Sequence, residues 1–209
     1  MKSRLWSGAW PRRREETTST ALSRVTTPAN SSLPPMTAVR DLPTPALRWV
    51  GAAGRIALRN FDFASDNAAI SEFQRETYSS NFPDFRWNDS FANAFRHDLR
   101  RASLDAHHGI FVLDAGKTQT PRIIGFLWIV ICENSWTRER FGYINNISVL
   151  GANRGQGLGR ALMTHSDDWL QSKGIRRSRL TVTATNEAAR HLYEECGFRV
   201  TRLEMDKDL

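Results

Sequence analysis

The sequence predicts one α/β domain of the α+β kind, built on a mixed, mostly antiparallel twisted sheet. Three observations predict it. One strand and two helices are followed by three strand-like runs joined by short links, the order of an antiparallel meander. A glycine-rich loop then leads from the last of those runs into an amphipathic helix. The texture of the chain also changes abruptly near residue 54.

Residues 1–53 carry six of the eight prolines, many Ser and Thr, and eight basic against three acidic residues. Such a segment buries too little apolar surface to offset its ordering entropy, so a disordered basic extension is expected there, with the folded domain at 54–209. It is Arg- and Ser/Thr-rich like an organelle transit peptide, but Trp6, Trp10, Pro11 and Glu15–Glu16 spoil the amphipathic pattern. A start at Met36 is the other reading. The net charge of +7 is mostly a property of this tail, so no nucleic-acid partner is inferred from it.

From Arg55, Ile56 and Leu58 alternate with polar residues as in a strand. Ser65 or Asp66 is expected to cap a helix over 67–79, with Ile70, Phe73 and Thr77 at helical spacing. Asp89 or Ser90 is expected to cap a second helix, with Phe91, Ala94, Phe95, Leu99 and Ala102 on one face. Strands follow at 109–114, 123–132 and 143–150. A helix runs from the glycine loop to about Lys173, with Gly174 where a helix-ending glycine belongs. A strand at 179–183, a helix from Asn186 to Cys196, and a last strand at 198–205 complete the chain. That last strand rests on apolar residues at 198, 200, 203 and 205.

Two isolated cysteines, Cys132 and Cys196, make no disulfide framework, and a reducing, cytoplasmic location is expected. The ten residues of the apolar run Ile123–Cys132 are too few for a membrane helix, which needs about 20, so no membrane partner is expected. His107–His108 show no metal-ligand spacing, and no metal is expected.

The loop Gly151-Ala-Asn-Arg-Gly-Gln-Gly-Leu-Gly159 carries the chemistry. Glycines before a helix N-terminus let unpaired backbone N–H groups approach an anion, most naturally a phosphate or pyrophosphate, and Arg154 and Arg160 add positive charge. The spacing fails the ATPase loop, which needs a Gly-Lys-Ser/Thr ending. It also fails the dinucleotide fingerprint, which puts Arg160 or Leu162 where the third glycine belongs.

Arg154-Gly-Gln-Gly-Leu-Gly159 resembles the acetyl-CoA motif Gln/Arg-x-x-Gly-x-Gly/Ala of the GCN5-related N-acetyltransferase (GNAT) superfamily. Tyr143–Val149 resembles the strand that family places before the loop, and Asn186–Phe198 its second cofactor segment. The resemblance covers about residues 55–209. It implies a sheet of six to seven strands with helices on both faces, and acetyl-CoA as acyl donor to a primary amine on a small molecule, peptide or protein. A homodimer is compatible with it.

By the same resemblance, backbone groups of Ile147, Ser148 and Val149 pair with the pantetheine arm where two strands splay. Those of Arg154, Gly155, Gln156, Gly157, Leu158, Gly159 and Arg160 hold the pyrophosphate. Asn186 bonds the pantetheine, and Tyr193 protonates the leaving thiolate. A backbone N–H near Val149 is placed to polarise the thioester carbonyl. Relatives often carry a Glu general base where this chain has Asn145, which takes no proton at neutral pH. Glu133 is the substitute candidate base. Asn145 also supports a rival reading, a non-catalytic acyl-CoA-binding module. A second rival is an adaptor whose basic tail binds nucleic acid. The acceptor site is expected from the segments 80–90 and 133–142. There Phe82, Phe85 and Trp87 either line a pocket or fasten the loop to the core.

Overall fold

The structure, a computed structural model, describes residues 48–51, 54–81, 85–116, 122–205 and 207. Of the extension expected over residues 1–53, residues 1–47 and 52–53 lie outside the described residues, as do Phe82 and residues 117–121. The elements are β1 (Arg48–Gly51), β2 (Gly54–Asn60), α1 (Phe63–Asn81), α2 (Asp89–Ser103), β3 (His108–Asp114), β4 (Ile123–Glu133), β5 (Arg140–Val149), α3 (Leu158–Ser172), β6 (Ser178–Arg179) and α4 (Glu187–Glu195). They form a six-stranded sheet in sequence order, antiparallel throughout except for the parallel pair β5–β6.

The sheet begins at Arg48, ahead of the boundary expected at 54, because β1 pairs with β2 as a hairpin, Arg48 opposite Ala57. Along the strands, apolar residues divide between two cores. Ile110, Val112, Phe126 and Trp128 bury against Ile70 and Phe73 of α1 and Phe95, Leu99 and Ala102 of α2. Phe111, Leu113, Leu127, Ile129 and Ile144 bury against Leu158, Leu162, Met163 and Leu170 of α3. The expected helices on both faces are therefore present. Period-two alternation puts neighbouring residues into opposite cores, which specifies the register of the central strands.

Several boundaries differ from expectation for identifiable reasons. Helix α1 starts at Phe63, where Asp62 Oδ1 accepts the Ala64 N–H at 2.7 Å. Asp66 lies inside the helix and is fully buried. It accepts two hydrogen bonds from Arg59 at 2.7 and 2.9 Å, and Arg59 Nε also donates to Asp114 Oδ2 at 3.0 Å. This arginine thus ties β2, α1 and β3 together. Burial acts to raise the Asp66 carboxyl, but the bonds from Arg59, the Asp62 N–H and Ser65 bring it below the ordinary value. Helix α2 is capped by Asn88, whose Oδ1 accepts the Phe91 N–H at 2.9 Å, rather than by Asp89 or Ser90.

The largest departure is at the C-terminal end. The expected strand at 179–183 is only Ser178–Arg179, and the strand expected at 198–205 does not form. Val200, Leu203 and Met205 are exposed. Apolar alternation makes a strand only where a ladder partner exists, and two paired residues of β6 offer too short an edge. Among the described residues, no helix is long and apolar enough to cross a membrane.

Candidate active site

After β5 the chain passes through a 3-10 turn, Gly151–Asn153, before α3. Gly155 and Gly157 have φ of +73° and +75°. That left-handed backbone costs an L side chain roughly 1–2 kcal/mol. Gly157 is the N-cap of α3, and no side chain caps the helix. The Ala161 N–H bonds to Gly157 O at 3.0 Å. The N–H groups of Leu158, Gly159 and Arg160 are the orphan donors that a helix start leaves, at the positive end of its dipole. A Cβ at Gly155 or Gly157 would meet nothing within 4 Å, so space beside the loop is open. Gly159 serves differently: a Cβ there would lie 3.0 Å from Leu192 Cδ2, so it lets α4 approach α3 closely.

The loop is pinned at both flanks. Arg154 Nε donates to Val149 O at 2.9 Å, and its guanidinium lies 3.7 Å from Glu76 of α1. Arg160 pairs with Glu195 of α4. Gln156 is exposed.

Strand β5 has one open edge beside this loop. Its pairing with β6 extends only over Gly142↔Ser178 and Tyr143↔Arg179, with the Tyr143 hydroxyl donating to Thr181 Oγ1 at 3.0 Å. At the far end the Leu150 N–H bonds to Ile124 O of β4 at 2.9 Å. Peptide groups alternate sides along a strand, so those of Val149 and Ile147 face away from β4, toward the open edge. The Arg154 bond to Val149 O fits that alternation. Between the paired and open stretches lies a bulge: Trp128 is opposite Asn146, and Ile129 opposite Ile144, leaving Asn145 unmatched. The extra residue explains how Ile144 and Ile147, three apart, both reach the α3-side core.

The bulge also turns two amides together. Asn145 Nδ2 donates to Asn146 Oδ1 at 3.0 Å, and Asn146 Nδ2 donates to Gln74 Oε1 of α1 at 2.8 Å. Gln74 is only 3% exposed and hydrogen-bonds the Tyr78 hydroxyl. The sequence reading missed Gln74 and Asn146. The available signals were adjacent asparagines inside an apolar strand and a polar residue four after Ile70 on a core-facing stripe.

Helix α4 brings the second expected segment to the α3 face. Asn186 caps it, Oδ1 accepting the Ala189 N–H at 3.2 Å. Tyr193 packs against the same core as Ile147, Val149 and Leu180, with its ring 6.0 Å from that of Phe198. Burial, aided by charge at Cys196, pushes the Tyr193 phenol up to about 12, so it holds its proton at neutral pH. Burial likewise raises both cysteine thiols, which leaves neither as a ready thiolate nucleophile.

Glu133 is not brought to this site. It stands opposite Arg140 at the distant end of the β4–β5 hairpin, with its carboxylate 2.8 Å from Arg138. Seven residues of strand separate Arg140 from Ile147, roughly 23 Å at strand rise. The general-base reading of Glu133 is corrected on that ground. Phe85 and Trp87 fasten their loop to the core: Phe85 lies 4.8 Å from Tyr78 and 4.9 Å from Phe91, and Trp87 lies 4.8 Å from Phe91, centroid to centroid. Among the helical histidines, His165 is buried edge-on to Phe111, whereas His97 and His191 are exposed. His108 Nδ1 accepts the indole N–H of Trp128 at 2.9 Å.

A sequence model described as the acetyltransferase (GNAT) family matches residues 67–198. The chain belongs to the acetyltransferase (GNAT) family. Among curated relatives of this GNAT chain, an uncharacterized N-acetyltransferase, YycN, from Bacillus subtilis is 34% identical over 111 residues, 53% of this chain and 68% of that protein. A mycothiol acetyltransferase from Amycolatopsis mediterranei is 32% identical over 173 residues, 79% of this chain and 51% of that protein. The GNAT chain thus spans about half the length of that second relative. Among solved structures, a predicted acetyltransferase from Clostridium acetobutylicum, determined with acetyl-CoA, aligns with a TM-score of 0.59 at 15% identity, covering 73% of this chain and 96% of that one. A tetramutant of the BH1408 protein from Bacillus halodurans aligns with a TM-score of 0.63 at 18% identity, covering 73% of this chain and 99% of that one. At these identities the structural likeness speaks for the GNAT fold alone.

Proposed function

We propose that this GNAT protein is an acetyl-CoA-dependent N-acetyltransferase acting on a primary amine by direct attack on the thioester. The observation that carries the reading is the juxtaposition of three features: the uncapped start of α3 behind Gly155 and Gly157, the open edge of β5 at Ile147 and Val149, and the protonated Tyr193 on the same face. Acetyl-CoA fits this set by chemistry. The free N–H groups of Leu158, Gly159 and Arg160 suit a pyrophosphate. Peptide groups on a strand edge suit the amides of a pantetheine arm. Asn186 keeps its Nδ2 without a hydrogen bond among the described residues, available to the same arm.

Bound acetyl-CoA supplies an activated acyl group whose transfer to an amine releases a thiol. Backbone N–H groups on the open β5 edge polarise the carbonyl as negative charge develops on its oxygen. Tyr193 donates its proton to the departing sulfur. The β5 bulge carries amides, Asn145 and Asn146, in place of a carboxylate, and the amine is used in its neutral form. Asn145 equally favours a non-catalytic acyl-CoA-binding module of the same fold.

Calorimetric titration of the full chain with acetyl-CoA, with Gly157→Trp as control, tests the cofactor half. Saturable binding abolished in the control is expected; a folded wild-type chain that binds no acetyl-CoA overturns the reading. Release of CoA on adding primary amines, lost in Tyr193→Phe, separates the enzyme from the binding module.

A further inference from the structure

We propose a second anion site, remote from the glycine loop: a hollow between the β4–β5 hairpin and the α3–β6 turn that binds the phosphate group of a small molecule. The hollow measures about 490 Å3. Arg138, Glu139 and Arg140 line one wall, and Gly174, Arg176 and Arg177 the other. The site stands apart from the acetyl-CoA reading above.

Two local structures bring these arginines together. At the hairpin, Asn134 Oδ1 accepts the N–H groups of Trp136 and Thr137 at 2.9 and 3.0 Å. The Arg138 N–H donates to Asn134 O at 2.8 Å. The turn leaves Arg138 at φ +59°, a left-handed backbone that favours glycine or asparagine. An arginine holds that place at a conformational cost. At the other wall, Gly174 at φ +71° ends α3, and the next residue, Ile175, is buried. With Ile175 turned inward, Arg176 and Arg177 are left at the surface. The Gly142 N–H donates to Arg177 O at 2.8 Å, which fixes this turn against the start of β5.

Charge decides what fits. Glu133 pairs with Arg138 at 2.8 Å, and Glu139 is shared by Arg177 and Arg179 at 3.1 and 3.3 Å. The Arg179 guanidinium also lies 4.1 Å from the centre of the Phe141 ring, which steadies it. An adjoining hollow shares Arg176 and Arg177 and adds one acid, Asp167. Five arginines thus meet three carboxylates, and the excess of two positive charges matches one phosphate dianion. Among the described residues, Arg140 and Arg176 have no acid partner. Every cation lining the hollow is a guanidinium, whose planar fork sets two N–H donors on neighbouring oxygens. Arg140 and Arg176 stand on opposite walls. A carboxylate has two oxygens, which one fork fills, whereas a tetrahedral phosphate offers oxygens to both forks. The pyrophosphate of acetyl-CoA is not the occupant. The fifteen residues of α3 set the helix start roughly 20 Å from this hollow.

The probe is pyrophosphate, titrated calorimetrically at low ionic strength into the full chain saturated with CoA, and again into Gly157→Trp, whose α3 loop is obstructed. Saturable binding is expected in both. Arg140→Gln and Arg176→Gln, at exposed positions, should each weaken it by about tenfold or more, the worth of one charge-assisted hydrogen bond. Acetyl-CoA affinity should change less than about twofold in either arginine variant. Pyrophosphate binding abolished by CoA and absent from Gly157→Trp belongs to the α3 loop and overturns the proposal. So does a folded chain that binds none, or binding that neither arginine substitution weakens. Succinate bound as tightly as pyrophosphate makes this a carboxylate site, and heparin bound without pyrophosphate makes it an extended polyanion surface; each result also overturns the proposal. A chain that does not bind CoA fails the acetyl-CoA reading alone, and Gly157→Trp then reads the arginine site by itself.

Discussion

Three glycines in one short loop are needed for two different reasons, and alanine substitution separates them. Gly157 sits at φ +75° with no atom within 4 Å of a would-be Cβ. Its Ala variant meets only backbone strain, about 1–2 kcal/mol for a left-handed L residue, partly offset by about 0.4–1 kcal/mol from a stiffer unfolded chain. A net loss of about 1 kcal/mol is expected, and Gly155→Ala at φ +73° should match it. Gly159 is helical, and its Cβ would come 3.0 Å from the end of the flexible Leu192 side chain. Leu192 can yield by a few tenths of an ångström, so Gly159→Ala should stay within about 1 kcal/mol of wild type. Gly159→Val carries two further carbons toward α4, and overpacking of about 1–3 kcal/mol follows. It also displaces the helix that holds Asn186 and Tyr193. Urea denaturation followed by circular dichroism gives the stabilities, and calorimetry gives acetyl-CoA affinity for each variant. If Gly157→Ala is as stable as wild type, the left-handed requirement is wrong. If Gly159→Val binds acetyl-CoA normally, the close approach of α3 and α4 has no part in the site.

Two further outcomes follow from ionisable groups packed at the core. Tyr193→Phe should lower kcat by about 10²-fold or more with little change in KM for acetyl-CoA, as loss of a general acid does; an equal fall in affinity would point to a packing role instead. With the folded phenol raised to about 12, the stability it gives is full below the unfolded value near 10 and is lost as pH rises toward 12. Alkaline unfolding should therefore be shallower in Tyr193→Phe than in wild type. Asp66→Asn breaks the buried pair with Arg59 and should cost about 3 kcal/mol in urea unfolding, because a partly buried guanidinium loses its main partner. The Asp66 carboxyl is held below its ordinary value, so its contribution is present above about pH 4 and is lost as pH falls through the folded value. Asp66→Asn should thus flatten the acid limb, and an unchanged acid limb would remove Asp66 as its source.

How much of this was legible in the sequence depended on whether a pattern was local. The glycine loop with the amphipathic helix behind it and the Ile56–Leu58 alternation are local, and each appears where expected. The caps were misassigned because Asp62, Asp66 and Asn88 are all chemically suited to capping. What moved Asp66 into the interior was Arg59, brought to it by the turn between β2 and α1. The apolar residues at 198, 200, 203 and 205 suggested a strand, but a strand is a property of two segments, and β6 supplies only two paired residues. The bulge at Asn145 was hidden for a related reason. An extra residue is defined only against the partner strand, so Tyr143–Val149 read as unbroken extended chain.

That bulge leads to the last expectation. In this chain the groups around it are amides and a phenol: Asn145, Asn146, Gln74 and Tyr78. None of them gains or loses a proton between pH 5 and 9, since burial pushes the Tyr78 phenol above its ordinary value near 10. Glu133 pairs with Arg138 at the other end of the hairpin. An enzyme with a resident carboxylate base shows an ascending limb of kcat/KM whose midpoint belongs to the enzyme. Here the midpoint should belong to the acceptor, because only the neutral amine attacks. Measured with two amine acceptors whose pKa values differ by two units, the midpoint should move by about two units, one for one with the amine. Glu133→Gln should leave both profiles unchanged. A midpoint fixed for both amines would require a titrating base within the protein, and its loss in Glu133→Gln would identify that base despite the distance.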